Sequence, residues 1–438
     1  MKRLYLLTVI ALLVVMSVPL AASAQITYTS GFQVQNLDTS NTANIVITFY
    51  NQNGSVAATV NDTIPAGGSK TYFPLSAVSE GFNGSVVISS DREVRAIVNV
   101  LGNDGAYGAS YGGFQQGATT VYVPLLMKAN SGYNTWFNIQ NAGSAVTNVS
   151  VNYSDGLTAS CTNLQPGAAC TLNQATEAHA SGWVGSAIVT ASQPIVVTVM
   201  EVGPTTLFAY DGFTGGSTTV VMPLINANNA GYITGVQIMN LGTTDTTVTV
   251  SYTPSLAGTA CTETKTIPAG KSETFALYAF ARTVSGENCE DGARFIGSAQ
   301  VTGNSANQPL VAIVNQLNSA ANKGAAYEGF DPSTATDTVV MPLIMDRNSN
   351  YWTGFSVVNV GSAATTVNCT FSSSSHTESA TLNPGQALTA LQNGVIAPGY
   401  VGSAICTASS GGKIVGIVNE LNSVLPGDAF LVYNAFNK

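Results

Sequence analysis

One stretch of this chain returns three times. Residues 119–153, TTVYVPLLMKANSGYNTWFNIQNAGSAVTNVSVNY, reappear in altered form at residues 218–252 and 337–371, and a shortened copy occupies residues 26–50. A unit of roughly 100 residues repeated along a chain of 438 must fold as tandem modules, each burying its own apolar face. The repeats divide the chain into modules at residues 25–114, 115–213, 214–330 and 331–438, after a leader at residues 1–24.

The landmarks inside each copy read as strands and turns. The module opens on an apolar run containing Pro, at residues 121–126, 220–225 and 339–344. Proline cannot donate to a ladder, so this strand lies at a sheet edge or carries a bulge. Tyr133, Tyr232 and Tyr351 follow nine residues after that Pro, and Asn141, Asn240 and Asn359 eight residues later. Apolar residues alternate between them, the period of a half-buried strand. The Asn precedes a Gly-containing turn and is expected to bond local backbone there. In the next strand Val149, Val151 and Tyr153 point inward, while Thr147, Asn148, Ser150 and Asn152 include the outward set. A one-residue slip would expose the apolar set, so the register is strongly specified. A Pro-Gly-type turn, a variable crossing segment (long in module three) and a Gly-Ser strand follow. Then comes an almost wholly apolar strand at residues 94–100, 195–202, 310–316 and 414–420, expected to be the most buried. Each module closes on an aromatic pair: Tyr111/Phe114, Tyr210/Phe213, Tyr327/Phe330 and Tyr433/Phe436.

About seven short strands per module predict an all-β chain: four tandem immunoglobulin-like antiparallel β-sandwich domains, lying in a row. The Asn-x-Gly turn followed by V-x-V-x-Tyr resembles the CARDB-type cell-adhesion modules of prokaryotic secreted surface proteins. That resemblance implies a structural, spacer or adhesive role and carries over no binding residues.

Module one is short. Counting nine residues back from Tyr28 reaches Pro19, in Val18-Pro19-Leu20. This lies inside a segment that reads as a signal peptide: basic Lys2 and Arg3, an apolar run at residues 4–18, and Ala22-Ser23-Ala24 as a cleavage site. Cleavage would leave module one without its first strand. No later segment reads as a transmembrane helix, so the mature chain is expected to be secreted or on the cell surface.

Charged residues make up only 8% of the chain and the net charge is −9. Such a chain will not neutralise phosphates, which argues against nucleic acid as a partner. The six cysteines fall two per module in modules two to four, which in an exported protein predicts the disulfides Cys161–Cys170, Cys261–Cys289 and Cys369–Cys406. No cofactor or metal is expected. His179 and His376 sit in loops without counterparts in other modules, the pattern of surface residues. Asp346-Arg347-Asn348-Ser349-Asn350 begins like a calcium loop but lacks the Gly and the terminal Glu. Trp136, Trp183 and Trp352 are candidate surface aromatics for sugar stacking, against packing at a domain joint.

These features point to a non-enzymatic structural or adhesive protein, a subunit of an extracellular layer, sheath or filament. Self-association or other surface proteins are the expected partners, with glycans a further option. The alternative is a carbohydrate-binding accessory protein.

Overall fold

The computed structural model describes residues 26–275, 293–305, 307–409, 411–422 and 424–438. The leader, Cys289 and most of module three's long crossing segment lie outside the described residues. The described chain is built from antiparallel strands with three short 3-10 turns, arranged as four β-sandwiches.

Module four shows the complete unit. One sheet orders Thr377–Leu382, Thr365–Phe371, Tyr400–Ala408, Thr338–Asp346 and Phe436–Asn437; the other orders Ala387–Gln392, Tyr351–Asn359, Ile414–Asn422 and Phe430–Asn434. In module two the Gly-Ser strand and the apolar strand run on as one strand, Trp183–Val202. It serves both sheets and shifts register between Thr190 and Ile195.

The local signals have definite physical roles. Val149, Val151 and Tyr153 are buried, while Asn148, Ser150 and Asn152 are exposed. Thr147 turns inward instead, and its hydroxyl meets that of Ser192. The turn Asn is fully buried in every module. Asn141 Nδ2 donates to Ala145 O and Leu164 O, and its Oδ1 accepts from Gly143 N. Asn36, Asn240 and Asn359 make the same triple set. One side chain thereby ties the turn to the end of the following hairpin.

The Pro-containing strand carries a bulge. Pro124 and Leu125 fall between paired residues Val123 and Leu126, and the same skip occurs between Met222 and Ile225 and between Met341 and Ile344. A bulge frees backbone groups that must find partners elsewhere. Here the closing-strand tyrosine supplies them. Tyr210 Oη accepts from Leu125 N and donates to Leu125 O, and Tyr327 and Tyr433 clamp Leu224 and Leu343 likewise.

The four sandwiches do not lie in a row. The closing strands Tyr107–Gly112, Leu207–Asp211, Lys323–Glu328 and Phe430–Asn434 stand around a common centre, each packed on the next and the fourth on the first. The ring closes because the same surface recurs in each module and the rotation between neighbours returns to the start.

Candidate interaction site: the module joints and an open edge

Two adjacent positions on the apolar strand build each joint, the later one meeting the earlier one of the next module. Their identities differ from joint to joint. Between modules one and two Val100 and Met200 share an apolar cluster. Between two and three Asn315 Nδ2 donates to Glu201 Oε2 at 2.7 Å. Between three and four Gln316 and Asn419 exchange hydrogen bonds. Between four and one Asn99 Nδ2 donates to Glu420 Oε2 at 3.2 Å.

Further contacts recur around the ring. Ser85 and Ser298, from the Gly-Ser strands, donate to the Pro-Gly turn carbonyls Gly167 O and Gly385 O of the next module. A Cβ on Gly167 would sit 2.6 Å from a ring carbon of Tyr50, so this close approach needs glycine. Ser356 Oγ and Gln33 Nε2 donate to Pro223 O and Pro342 O, the carbonyls of the preceding module's bulge proline. The repeated Gly-Ser and Pro-Gly signals are thus partly joint residues.

The joints bury acids. Burial pushes the Glu201 carboxyl up to about 8 and Glu420 up to about 7, with only one Asn hydrogen bond on each working the other way. At the edge of the ring's core Asp211 N donates to Glu328 Oε1, and Glu328 N to Asn434 Oδ1. Burial first, then the Glu328 charge, raises Asp211 well above the usual carboxylate range. Near the opposite ends of these strands Asp428 accepts from Leu207 N and Gly324 N of modules two and three. Burial lifts its carboxyl to about 8 against the pull of those amides and of Lys323. Each of these acids is absorbed in joining modules.

Module one differs from the others at one place. Its second sheet has three strands, Val56–Ile64, Ala43–Asn51 and Gly84–Ser90. Elsewhere the Gly-Ser strand pairs with the Pro-containing strand; among the described residues Gly84–Ser90 pairs on one side only. The effect reaches the core. Ala187, Val189, Ile195, Val197 and Val199 of module two are buried, but their counterparts Val86, Ile88, Val94, Ala96 and Val98 are only half-buried. Tyr111, the counterpart of the clamping tyrosines, has no hydroxyl partner among the described residues. Among the described residues Phe114 makes no backbone bridge like those of Phe213 and Phe330 to the first strand.

The sequence candidates fall as follows. Cys161–Cys170 and Cys369–Cys406 are disulfides, the second joining directly paired residues of neighbouring strands. Cys261 is buried, and its expected partner Cys289 lies outside the described residues. Trp136 packs edge-on against Tyr28 across the first joint. Trp183 stacks on His179, and Trp352 Nε1 is buried without a partner. His179 is a correction to its expected surface role. It is buried, with Nδ1 2.6 Å from Asp155 Oδ2 and Nε2 2.8 Å from Gln174 Oε1, latching one end of module two. Nothing in the sequence marked it, since its partners are scattered in loops. His376 is part-buried against Glu378. Asp346 accepts from Gly394 N, Val395 N and Ile396 N and pairs with Arg347. Burial opposes its charge, yet Arg347 and these amides hold its carboxyl below the usual range. Its oxygens are committed to folding a loop. Among the described residues no group of three or more His, Cys, Asp or Glu is placed to hold a metal, and no helix is long and apolar enough to cross a membrane.

No protein-family model matches this chain, and none of the curated proteins matches it either.

Proposed function

We propose that the protein is a secreted, non-enzymatic structural or adhesive surface protein, a subunit of an extracellular layer, sheath or filament. The observation that carries this reading is the edge of Gly84–Ser90, unpaired among the described residues of a closed ring. Edges that avoid association are blunted by charge, Pro or bulges. This one is Gly-Ser-Val-Val-Ile-Ser-Ser, with no charged residue and an exposed Val87. Support comes also from the leader-like residues 1–24, from disulfides suited to an oxidising compartment, and from the low charge. The ring makes a rigid building block, because each module is held at two joints. Among the described residues the clustered acids serve those joints. Sedimentation velocity and negative-stain microscopy of residues 25–438 at rising concentration test the reading. Ordered polymers or layers are expected; a monomer at every concentration and on cell-envelope material would refute it.

A further inference from the structure

We infer that module one is completed in trans: its open side takes an extended, uncharged strand with a Pro-Leu bulge, donated by a separate polypeptide. This deepens the assembly reading by naming what the edge binds.

The three complete modules show what belongs there. The place is filled by VYVPLLM, VVMPLIN and VVMPLIM, strands that pair with the Gly-Ser strand on one side and bridge on the other to the Phe two residues beyond the closing strand. Module one keeps every receiving feature. Gly84–Ser90 offers the ladder, and Val86, Ile88, Val94, Ala96 and Val98 offer a half-buried apolar floor. Tyr111 stands where Tyr210, Tyr327 and Tyr433 grip the backbone of the bulge Leu. A side of a sandwich lined this way buries apolar area and satisfies backbone groups by taking one strand.

The chain's own Val18-Pro19-Leu20 has the right spacing from Tyr28 but lies in the leader-like segment that export would remove. In modules two to four the strand reaches its aromatic through a turn with three left-handed residues: Ala129, Ser131 and Gly132; Asn228, Ala230 and Gly231; Arg347, Ser349 and Asn350. The counterparts in module one are Ala24, Ile26 and Thr27. Positive φ is strongly disfavoured for β-branched Ile and Thr, and Thr27 does not adopt it here. Thr27 instead exchanges backbone contacts with Asn103: Thr27 N donates to Asn103 Oδ1 and Asn103 N to Thr27 O. Residues 26 and 27 thus lie where the turn residues lie in the other modules, in which Gly132 meets Pro204, Ala230 O accepts from Asn318 Nδ2 and Ser349 O accepts from Asn422 Nδ2; the first strand is lost with the leader-like residues 1–24 on export. A second folded copy has no spare strand of this type either, because its three Pro-Leu strands are clamped in place.

The probe is a synthetic peptide of residues 337–346, DTVVMPLIMD, against a scrambled peptide of the same composition. Residues 25–438 should bind the first peptide 1:1 by native mass spectrometry, with hydrogen-exchange protection appearing at Gly84–Ser90. Tyr111→Phe should weaken binding about tenfold, the loss of two net hydrogen bonds. A variant carrying residues 119–132 ahead of Tyr28 should melt higher and refuse the peptide. The inference is overturned if the peptide does not bind, if the scrambled one binds equally, or if protection falls elsewhere. It is overturned equally if Gly84–Ser90 is already protected in the full chain of residues 1–438, which would place the strand in cis. Peptide capture without polymers would refute the assembly reading alone; polymers without peptide capture would refute this inference alone.

Discussion

Gln316 and Asn419 face each other across the joint between the third and fourth modules and exchange two hydrogen bonds, Gln316 Nε2 to Asn419 Oδ1 at 3.0 Å and Asn419 Nδ2 to Gln316 Oε1 at 3.4 Å. The equivalent pairs Glu201/Asn315 and Glu420/Asn99 make only one bond each. Glu201 Oε1, Asn315 Oδ1, Glu420 Oε1 and Asn99 Oδ1 are buried acceptors without partners. A proton on each Glu supplies the missing donor and reproduces the amide pair.

Stability should therefore fall as pH rises. Burial raises Glu420 to about 7 and Glu201 to about 8 from an ordinary 4.5, so the folded ring holds protons that the unfolded chain releases. Their contribution is complete below the unfolded value and is lost as pH climbs through about 7 and about 8. Asp428, Asp211 and Glu328, all raised chiefly by burial, act in the same direction. Tyr351 and Tyr433 face Glu420, Tyr133 and Tyr210 face Glu201, and Lys323 faces Asp428. The double variant Glu201→Gln/Glu420→Gln should flatten much of the decline in melting temperature between pH 6 and 9 while leaving the pH 5 value nearly unchanged. A variant as pH-sensitive as the parent would show that these pairs are not the titrating joints.

Val151→Asp and Asn152→Asp should separate cleanly. Val151 is fully buried and Asn152 exposed. The first places an unpaired carboxylate in the core at a cost of several kcal/mol, the second changes a surface side chain within about 0.5 kcal/mol. Equal shifts in denaturant midpoint would contradict the register.

Asn240→Ala should destabilise module three by roughly 2 kcal/mol, because it removes the partner of Thr244 O, of Gly242 N and of the buried Ile267 O. Asn240→Asp restores only the acceptor and should recover only part of the loss. Urea denaturation of the two variants measures the difference.

The two described disulfides should differ in worth and in access. Cys369 and Cys406 are fully buried and 37 residues apart; Cys161 and Cys170 are 9 apart, with Cys170 partly exposed. Loop entropy gives about 3.8 kcal/mol for the longer closure and about 2.6 for the shorter. Mild reductant followed by alkylation and mass spectrometry should label Cys161 and Cys170 first.

The sequence disclosed what repeats and hid what varies. The Pro-Leu bulge, the turn Asn and the alternation of Val149, Val151 and Tyr153 recur with the same chemistry, so their structural meaning was readable. The ring was not. Its joints use the same two positions in each module but fill them with Val/Met, Glu/Asn, Gln/Asn and Glu/Asn, so no shared residue type betrays the common geometry. Gly-Ser and Pro-Gly read as strand and turn signals, yet Ser85 and Gly167 also hold neighbours together. The short first module was visible from the count back to Pro19, whereas its consequence for Val86 and Val98 needed the packing.

Ile26 packs beside Gly102 at one end of the strand Tyr28–Asn36, and Lys438 Nζ bonds Leu37 O at the other. Nine residues at about 3.3 Å each separate those points by roughly 30 Å. Because all four modules meet through equivalent surfaces, they share one orientation, and the ring has two unlike faces. One carries the turns at Asn103–Gly105 and Ser319–Ala321; the other carries those that follow Asn36, Asn141, Asn240 and Asn359. Stacked face to back, such discs would form a column with a built-in direction. Labels attached at residue 26 and at residue 438 would mark its opposite ends.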